Sequence, residues 1–536
     1  MKIGKEDHPI FQKIRKNVNL CYTNEKISYI IDVDFYVRRE KRMELKKILI
    51  GLEGLKVKGD LSLDIKKIES DSSKVKENTM FVAIKGFESD GHEYILEAIE
   101  NGAIAVMAQI DIDKKILKQI PEGVTIIIAE DTRHALAISA ANFYKNPSKK
   151  FKLIGITGTK GKTTTSFMMK AILEKEGKKV GLIGTIGSFI GNEKIDENDR
   201  TTPESLELQK IFSKMEKAEC EVVIMEVSSQ SLKLHRVDGC NFDIAVFTNL
   251  SEDHISENEH PNLEDYFKSK LKLIEMARTS YVNADDLYVA KIPNMFKNDE
   301  NKEIFTFATD NFCNILGKDI TITNTYADFK MKLGQKNDRI KVFIPGRFTV
   351  YNALAAIGVC LKLGCDPEKI KEAMLEVKVP GRSEIVENNK DLKLMIDYAH
   401  SPESLKSILE TAKMYTKGRV IVLFGCGGDR DNKKRSIMGE IAGNYADFSI
   451  ITSDNPRTEK PEEIINQIEE GIKKTKGKYE IIVDRIAAIK SAIKMARKDD
   501  FVIFAGKGHE TYQIIGKTKK PFDERIIIND ILNGKI

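Results

Sequence analysis

The residue types best suited to gripping a polyphosphate stand together in one run, Gly158-Thr159-Lys160-Gly161-Lys162-Thr163-Thr164. A glycine turn that opens into a helix aims backbone N–H groups and the positive end of the helix dipole at phosphate oxygens. Lys162 is placed to reach the terminal phosphates, and the Thr163 hydroxyl to hold Mg²⁺. The longer pattern G-x-x-x-x-G-K-[ST] is not met, because Ile156 stands where its first glycine belongs. A glycine turn that merely joins strand to helix is the plainer alternative, and the strand–loop–helix setting weighs against it. The ligand this loop implies is a nucleoside triphosphate, ATP.

Two further residues extend that chemistry. Glu226 follows the apolar run Glu221–Met225, and the carboxyl end of a strand is where an open α/β sheet meets its ligand, so it is placed to coordinate the nucleotide's metal. Its plainer role is to cap the Ser228-Ser229 turn. His254 stands beside Asp253 after the strand-like run Ile244–Asn249, where a second metal ligand is useful.

The elements that must hold these groups are legible from periodicity. Leu153, Ile154 and Ile156 read as a buried strand before the loop, and Ser166–Lys175 as a helix after it. Thr201-Thr202-Pro203-Glu204 reads as a helix start, with Thr at the cap and Pro in the first turn. Residues 295–340 read as a polar β excursion, and Asn352–Ile357 as a closely packing small-residue helix. Toward the C-terminus four apolar runs each end in a polar loop, at Asp397–Pro402, Gly425–Asp431, Ser453–Arg457 and Gly506–Glu510. A doubly wound sheet crowds such loops on one rim, which makes a second half-site facing the phosphate loop.

A chain of 536 residues predicts ~3 domains. The divisions read as an extension over 1–42, an N-terminal α/β domain over 43–148, a central nucleotide-binding domain over 149–380 and a C-terminal domain over 381–536, with Pro380-Gly381 as hinge. The extension holds a β-like run, Ile27–Val37, between basic stretches that fit a solvated face better than a nucleic-acid arm. Asp71-Ser72-Ser73 in the N-terminal domain offers hydroxyls to a ligand, or is simply a turn.

Composition excludes several classes. The net charge of +5 is small and spread along the chain, so no nucleic acid is implied. Seven cysteines without C-x-x-C spacing argue for reduced thiols in a cytoplasm, not a disulfide framework or zinc site. No apolar run approaches the ~18 residues of a membrane span.

Taken together, from about Met43 to the C-terminus, these motifs resemble the Mur ligase family, ATP-dependent amide ligases that build the peptidoglycan peptide. The resemblance implies a three-domain α/β fold with a central P-loop-type parallel-sheet domain and a C-terminal Rossmann-like domain. It implies ATP bound by Gly158–Thr164 with Asn352, Arg382, Asp397 and His400, and Mg²⁺ held by Thr163, Glu226, His254 and Lys270. Lys162, Glu226, His254 and Lys270 take the catalytic positions. Lys270 matches a lysine carbamylated by CO₂ in a Y-x-x-[AS]-K setting; Lys268 is the alternative, because the spacing from His254 to Tyr266 is longer than the family's. Ser72, Thr201, Thr202, Ser228 and Arg236 fall where the UDP-linked substrate binds. Two departures stand among them, Ser73 for an expected Arg and Leu234 for an expected Gln.

The implied substrates are UDP-N-acetylmuramoyl-dipeptide and an amino acid. Asp454-Asn455-Pro456-Arg457 matches the form that marks members adding meso-diaminopimelate, with Arg430, Gly506 and Glu510 completing the set. The physical reason is that an Arg fork grips the distal carboxylate through two charge-assisted bonds, while Glu510 suits the distal ammonium. L-lysine or lanthionine stays open as the added amino acid, and a non-catalytic nucleotide-binding regulator as a different class. A monomer is expected.

Overall fold

The computed structural model describes residues 42–87, 89–109, 112–198, 200–252, 255–256, 259–334 and 336–536. The extension, apart from Arg42, and both Asp253 and His254 therefore lie outside the described residues. The segment from Met43 starts as a two-residue strand, β1 (Met43–Glu44), followed by a short helix, Leu45–Ile48.

The N-terminal sheet is built from β2 (Lys56–Lys58), β4 (Lys67–Glu69), β5 (Thr79–Val82), β6 (Ala103–Gln109) and β7 (Thr125–Ala129), while β3 (Asp64–Ile65) pairs with β1. Its order is β2-β7-β6-β5-β4, parallel except at the β2 edge.

The central sheet has eleven strands. Its parallel centre comprises β8 (Lys152–Thr157), β9 (Val180–Gly184), β12 (Val222–Glu226), β13 (Ile244–Phe247), β14 (Thr279–Asn283), β15 (Glu303–Ala308) and β16 (Ile315–Ile322). Antiparallel edges are added by β10 (Gly187–Ile190) and β11 (Glu193–Asp196) on one side, and by β17 (Ala327–Leu333) and β18 (Lys336–Val342) on the other. The expected β excursion thus extends the central sheet. β9 and β12 lie on one side of β8, and β13 and β14 on the other, so the loop after β8 sits at the switch point where α/β sheets bind ligands.

The alternation of β8 explains its burial on both faces. Ile154 and Ile156 pack with the helices Lys162–Lys175 and Arg347–Lys362, and Leu153 packs with Ser205–Lys217 and Leu263–Met276. Parallel strands covered on both faces read as continuous apolar runs for this reason. Ala353, Ala355 and Ala356 let the helix Arg347–Lys362 lie close against Lys162–Lys175, as its small-residue composition predicts.

The C-terminal sheet has the order β19-β20-β24-β21-β22-β23. These strands are β19 (Glu384–Ile385), β20 (Lys393–Asp397), β21 (Val420–Phe424), β22 (Phe448–Ile451), β23 (Tyr479–Ile481) and β24 (Phe501–Ala505), all parallel except β19. The loops following β20, β24, β21 and β22 share one rim, beside the hairpin β25 (Tyr512–Ile515) and β26 (Thr518–Pro521). The chain has the three-domain α/β architecture expected. Among the described residues no helix is long and apolar enough to cross a membrane.

Candidate active site

The phosphate loop is shaped by its own glycines and by the loop after β13. Gly158 has φ +142 and Gly161 φ +88, the latter as the N-cap of the helix Lys162–Lys175. A Cβ at Gly158 would collide with Thr248 Oγ1, and one at Gly161 with Asn352 Oδ1, so both positions require glycine. Lys160 N donates to Asn249 Oδ1 at 2.9 Å, and its carbonyl accepts from Thr248 Oγ1 (2.6 Å) and Asn249 Nδ2 (3.0 Å). Sequence reasoning passed over Thr248 and Asn249, whose signal was their place directly after a buried strand.

Asn352 fits a bound nucleotide on a specific observation. Its side chain is buried against Gly161, and Nδ2 is enclosed with no hydrogen-bond partner. A buried donor left unmade is costly, and a ligand acceptor in the loop satisfies it. Lys162 Nζ folds back to donate to Gly158 O (2.7 Å) and Thr159 O (3.1 Å).

Register brings Glu226 level with Ile156 on the neighbouring strand, at the mouth of the loop. Its carboxylate is fully buried and accepts from Thr163 Oγ1 (3.0 Å), Thr185 Oγ1 (3.0 Å) and Thr185 N (3.2 Å). It does not cap the following turn. Ser228 does that itself, its Oγ accepting from Ser231 N. The pairing of Thr163 with Glu226 sets a hydroxyl and a carboxylate oxygen side by side, a donor set suited to Mg²⁺.

On the helix Leu263–Met276 the i, i+4 spacing of Tyr266 and Lys270 puts ring and ammonium on one face, 4.4 Å apart. Lys270 is 1% exposed and donates to Gly158 O at 2.9 Å. Lys268 instead points outward, with a side chain 70% exposed, and pairs with Glu264. His260, which sequence reasoning missed, is buried behind this face. Its ring nitrogens meet Asp265 Oδ2 (2.7 Å) and Ser229 Oγ (2.9 Å), and burial lowers its pKa. Its only sequence signal was proximity to Tyr266.

Thr202, Ser228 and Arg236 gather beside Glu226. Thr202 Oγ1 donates to the Glu226 carbonyl (2.9 Å) and accepts from Ser228 N (3.0 Å), and Thr201 Oγ1 lies 3.1 Å from Thr185 Oγ1. The expected helix start at Thr201 is corrected here. The helix begins at Ser205 with Glu204 at its N-cap and no side-chain cap, because both threonine hydroxyls are engaged toward Glu226 and Thr185. Arg236 is 3% exposed, with Nη1 donating to Thr202 O, Nη2 3.0 Å from Glu204 and Nε enclosed without a partner. Burial lowers its pKa, opposed by the Glu204 carboxylate beside it. Ser72 stands apart in the N-terminal domain, where its Oγ donates to Glu97. That domain is tied to the centre by His134, whose Nδ1 meets Asp238 Oδ2 at 2.6 Å, an oxygen that also meets His235 Nδ1 at 2.7 Å.

The C-terminal rim holds the other expected residues. Arg457 sits at φ +51 with Nη1 donating to Gly428 O at 2.8 Å, and a Cβ at Gly427 would lie 2.8 Å from that nitrogen and 4.0 Å from Arg430 Cγ. The two arginines thus flank Gly427. Asn455 Nδ2 donates to Glu510 Oε2 (2.9 Å), and a Cβ at Gly506 would lie 2.8 Å from Asp454 Oδ2. Pro456 continues this turn, its carbonyl packed close on Gly428.

Arg382, Asp397 and His400 meet around Tyr398. The Arg382 guanidinium lies 4.6 Å over its ring with Nε enclosed and unpartnered, and His400 Nδ1 is 2.8 Å from its carbonyl. Burial raises the Asp397 pKa, though its Oδ2 accepts from Ser383 N at 2.7 Å. Lys160 of the loop after β8 reaches Glu403 on the helix Pro402–Tyr415 at 3.3 Å, so the central and C-terminal parts of the chain meet there.

Comparison with known proteins shows what the chain is similar to. Residues 64–144 match the Mur ligase family catalytic domain, 156–360 the Mur ligase middle domain and 381–508 the Mur ligase glutamate ligase domain. The chain is 49% identical over 491 residues to the UDP-N-acetylmuramoyl-L-alanyl-D-glutamate–2,6-diaminopimelate ligase of Caldanaerobacter subterraneus subsp. tengcongensis, covering 91% of this chain and 99% of that one. It is 44% identical to a ligase of the same name from Clostridium acetobutylicum, with the same coverage. A solved structure of a ligase bearing that name superposes with a TM-score of 0.67 at 27% identity, over 92% of this chain and 99% of the other.

Proposed function

The chain belongs to the Mur ligase family, and from that premise we propose that it joins meso-diaminopimelate to UDP-N-acetylmuramoyl-L-alanyl-D-glutamate at the expense of ATP, in peptidoglycan synthesis. A carboxylate is a poor electrophile, so the D-Glu γ-carboxylate first takes the γ-phosphoryl group of ATP and releases ADP. The amine of the amino acid then attacks this acyl phosphate, and the tetrahedral intermediate expels phosphate to leave an amide. The work of the protein is positioning and charge neutralisation. The loop N–H groups and Lys162 bind the phosphates, and Arg236 holds an anionic part of the UDP-linked substrate with Thr201, Thr202, Ser228 and Ser72. Asn352, Arg382, Asp397 and His400 frame the nucleotide.

Thr163, Glu226, His254 and a carbamylated Lys270 would hold Mg²⁺, which neutralises charge on the phosphates. The carbamate is supported by crowding: Lys162 and Lys270 both donate to the Gly158 carbonyl, and two ammonium groups on one oxygen repel. A carbamate turns one of them into an anion. For the amino acid, Arg457 and Arg430 suit the distal carboxylate, with Asp454, Asn455, Gly506 and Glu510 around it. The reading takes the chain as a cytoplasmic monomer.

The observation that carries it is the Lys160–Glu403 contact, which joins the phosphate loop to the helix after β20, in the domain whose β22 loop bears Asp-Asn-Pro-Arg. Phosphate release should require ATP, the UDP-dipeptide and meso-diaminopimelate together. Release without the UDP-dipeptide would point instead to a simple nucleotidase, and none with any amino acid to a non-catalytic regulator.

A further inference from the structure

Lys507 lies between Gly506 and Gly508 in the loop after β24, yet it is fully buried. Fully burying a lysine removes a strongly hydrated ammonium from water, which proteins tolerate only when its protons are used. Here they are. Nζ donates to Glu510 Oε2 at 2.7 Å and to Asn455 Oδ1 at 3.0 Å, lies 4.0 Å from Asp454 Oδ1, and has the rings of Tyr512 and Phe522 at 5.6 and 6.0 Å. Asn455 Nδ2 closes the triangle by donating to the same Glu510 oxygen, and its Oδ1 also accepts from Ile514 N at 2.9 Å.

Each side chain in this triangle is held by the other two. Asn455 cannot flip its amide without presenting NH₂ to both Lys507 and the Ile514 N–H. Glu510 cannot turn away without leaving a buried ammonium short of its nearest anion. The hydrogen bonds engage Glu510 through Oε2. We propose that Lys507 is a positioning residue, whose ammonium locks Glu510 and Asn455 in the orientation that receives the added amino acid. This rests on the reading of the β22 and β24 loops as the diamino-acid site.

The test is steady-state phosphate release by the full chain, with KM determined separately for meso-diaminopimelate, ATP and the UDP-dipeptide. Lys507→Met removes the ammonium and keeps most of the stem's volume. The KM for meso-diaminopimelate should rise at least tenfold, while those for ATP and the UDP-dipeptide stay within twofold. If Lys507→Met does not fold, Lys507→Gln, which keeps a donor for Asn455 and removes the charge, carries the same expectation. An unchanged KM for meso-diaminopimelate, or a fall in kcat alone that follows the folded fraction, overturns the positioning role. Failure of the unaltered chain to use meso-diaminopimelate overturns the underlying reading, and this inference with it.

Discussion

Glu226→Gln separates the chemical from the structural role of the buried carboxylate. Its oxygens accept from two hydroxyls, Thr163 and Thr185 Oγ1, and from one backbone donor, Thr185 N. The backbone donor is fixed, whereas hydroxyls rotate and can accept. Glutamine can therefore keep its carbonyl on Thr185 N and turn its NH₂ to the two hydroxyls, at a net cost of about 1 kcal/mol in hydrogen bonding. That corresponds to a fall in melting temperature of about 2–4 °C for a domain of this size. The lost negative charge at the proposed metal site is a larger matter. Removing one preorganised electrostatic group typically costs about 10²–10³ in turnover, or about 3–4 kcal/mol at the transition state. The assay pairs thermal unfolding with UDP-dipeptide-dependent ATP turnover. Turnover within threefold of the unaltered chain would refute the metal role, and a melting temperature lowered by more than about 10 °C would make the carboxylate mainly structural.

Four further outcomes follow from other parts of the molecule. Arg485 and Glu524 are paired at 2.8 Å with no exposure on either side, and Arg485 also donates to the carbonyls of Ser453 and Ala505 beneath the amino-acid loops. Arg485→Met should destabilise by about 3–5 kcal/mol in denaturant unfolding, because burial already raises the Glu524 pKa and leaves its carboxylate dependent on that partner; adding Glu524→Leu should recover most of the loss. The His235 pKa is raised, first by its hydrogen bond to Asp238, with Asp131 adding and Lys272 opposing. Its contribution is therefore complete below about pH 6.5 and lost as pH rises through the raised value, so His235→Asn, which tolerates the residue's φ of +58, should lower the melting temperature more at pH 6 than at pH 9. In ¹³CO₂-equilibrated protein a carbamate resonance should persist in Lys268→Arg and vanish in Lys270→Arg. Stiffening Pro380-Gly381 should slow turnover, since the loop after β8 and the loops after β22 and β24 stand on different sheets; full turnover in such a variant would remove the hinge.

The loop and strand ends of the candidate nucleotide half-site were legible because their signals are local. A buried strand, two glycines and a lysine announce a phosphate loop within one short stretch, and Glu226 follows from its place at a strand end. The small-residue helix announced its close packing in the same way. What stayed hidden was long-range. Lys507, Arg485 and Glu524 carry no local signal of burial, and only the packing of distant segments buries them. His260 was overshadowed by His254, which has the stronger neighbourhood in sequence. The Thr201 cap failed because a threonine before Pro-Glu satisfies a local rule, while Glu226 and Thr185, remote in sequence, claim both hydroxyls.

The measurement that bears most directly on the account is phosphate release with ATP and the UDP-dipeptide, comparing meso-diaminopimelate with L-lysine, in the unaltered chain and in Arg457→Lys. Diaminopimelate differs from lysine by the carboxylate that an arginine fork can grip with two parallel bonds, and a lysine side chain cannot reproduce that fork. The account predicts strong preference for meso-diaminopimelate, largely lost in Arg457→Lys with the KM for ATP unchanged. Equal use of L-lysine by the unaltered chain, or a preference untouched by Arg457→Lys, would contradict it.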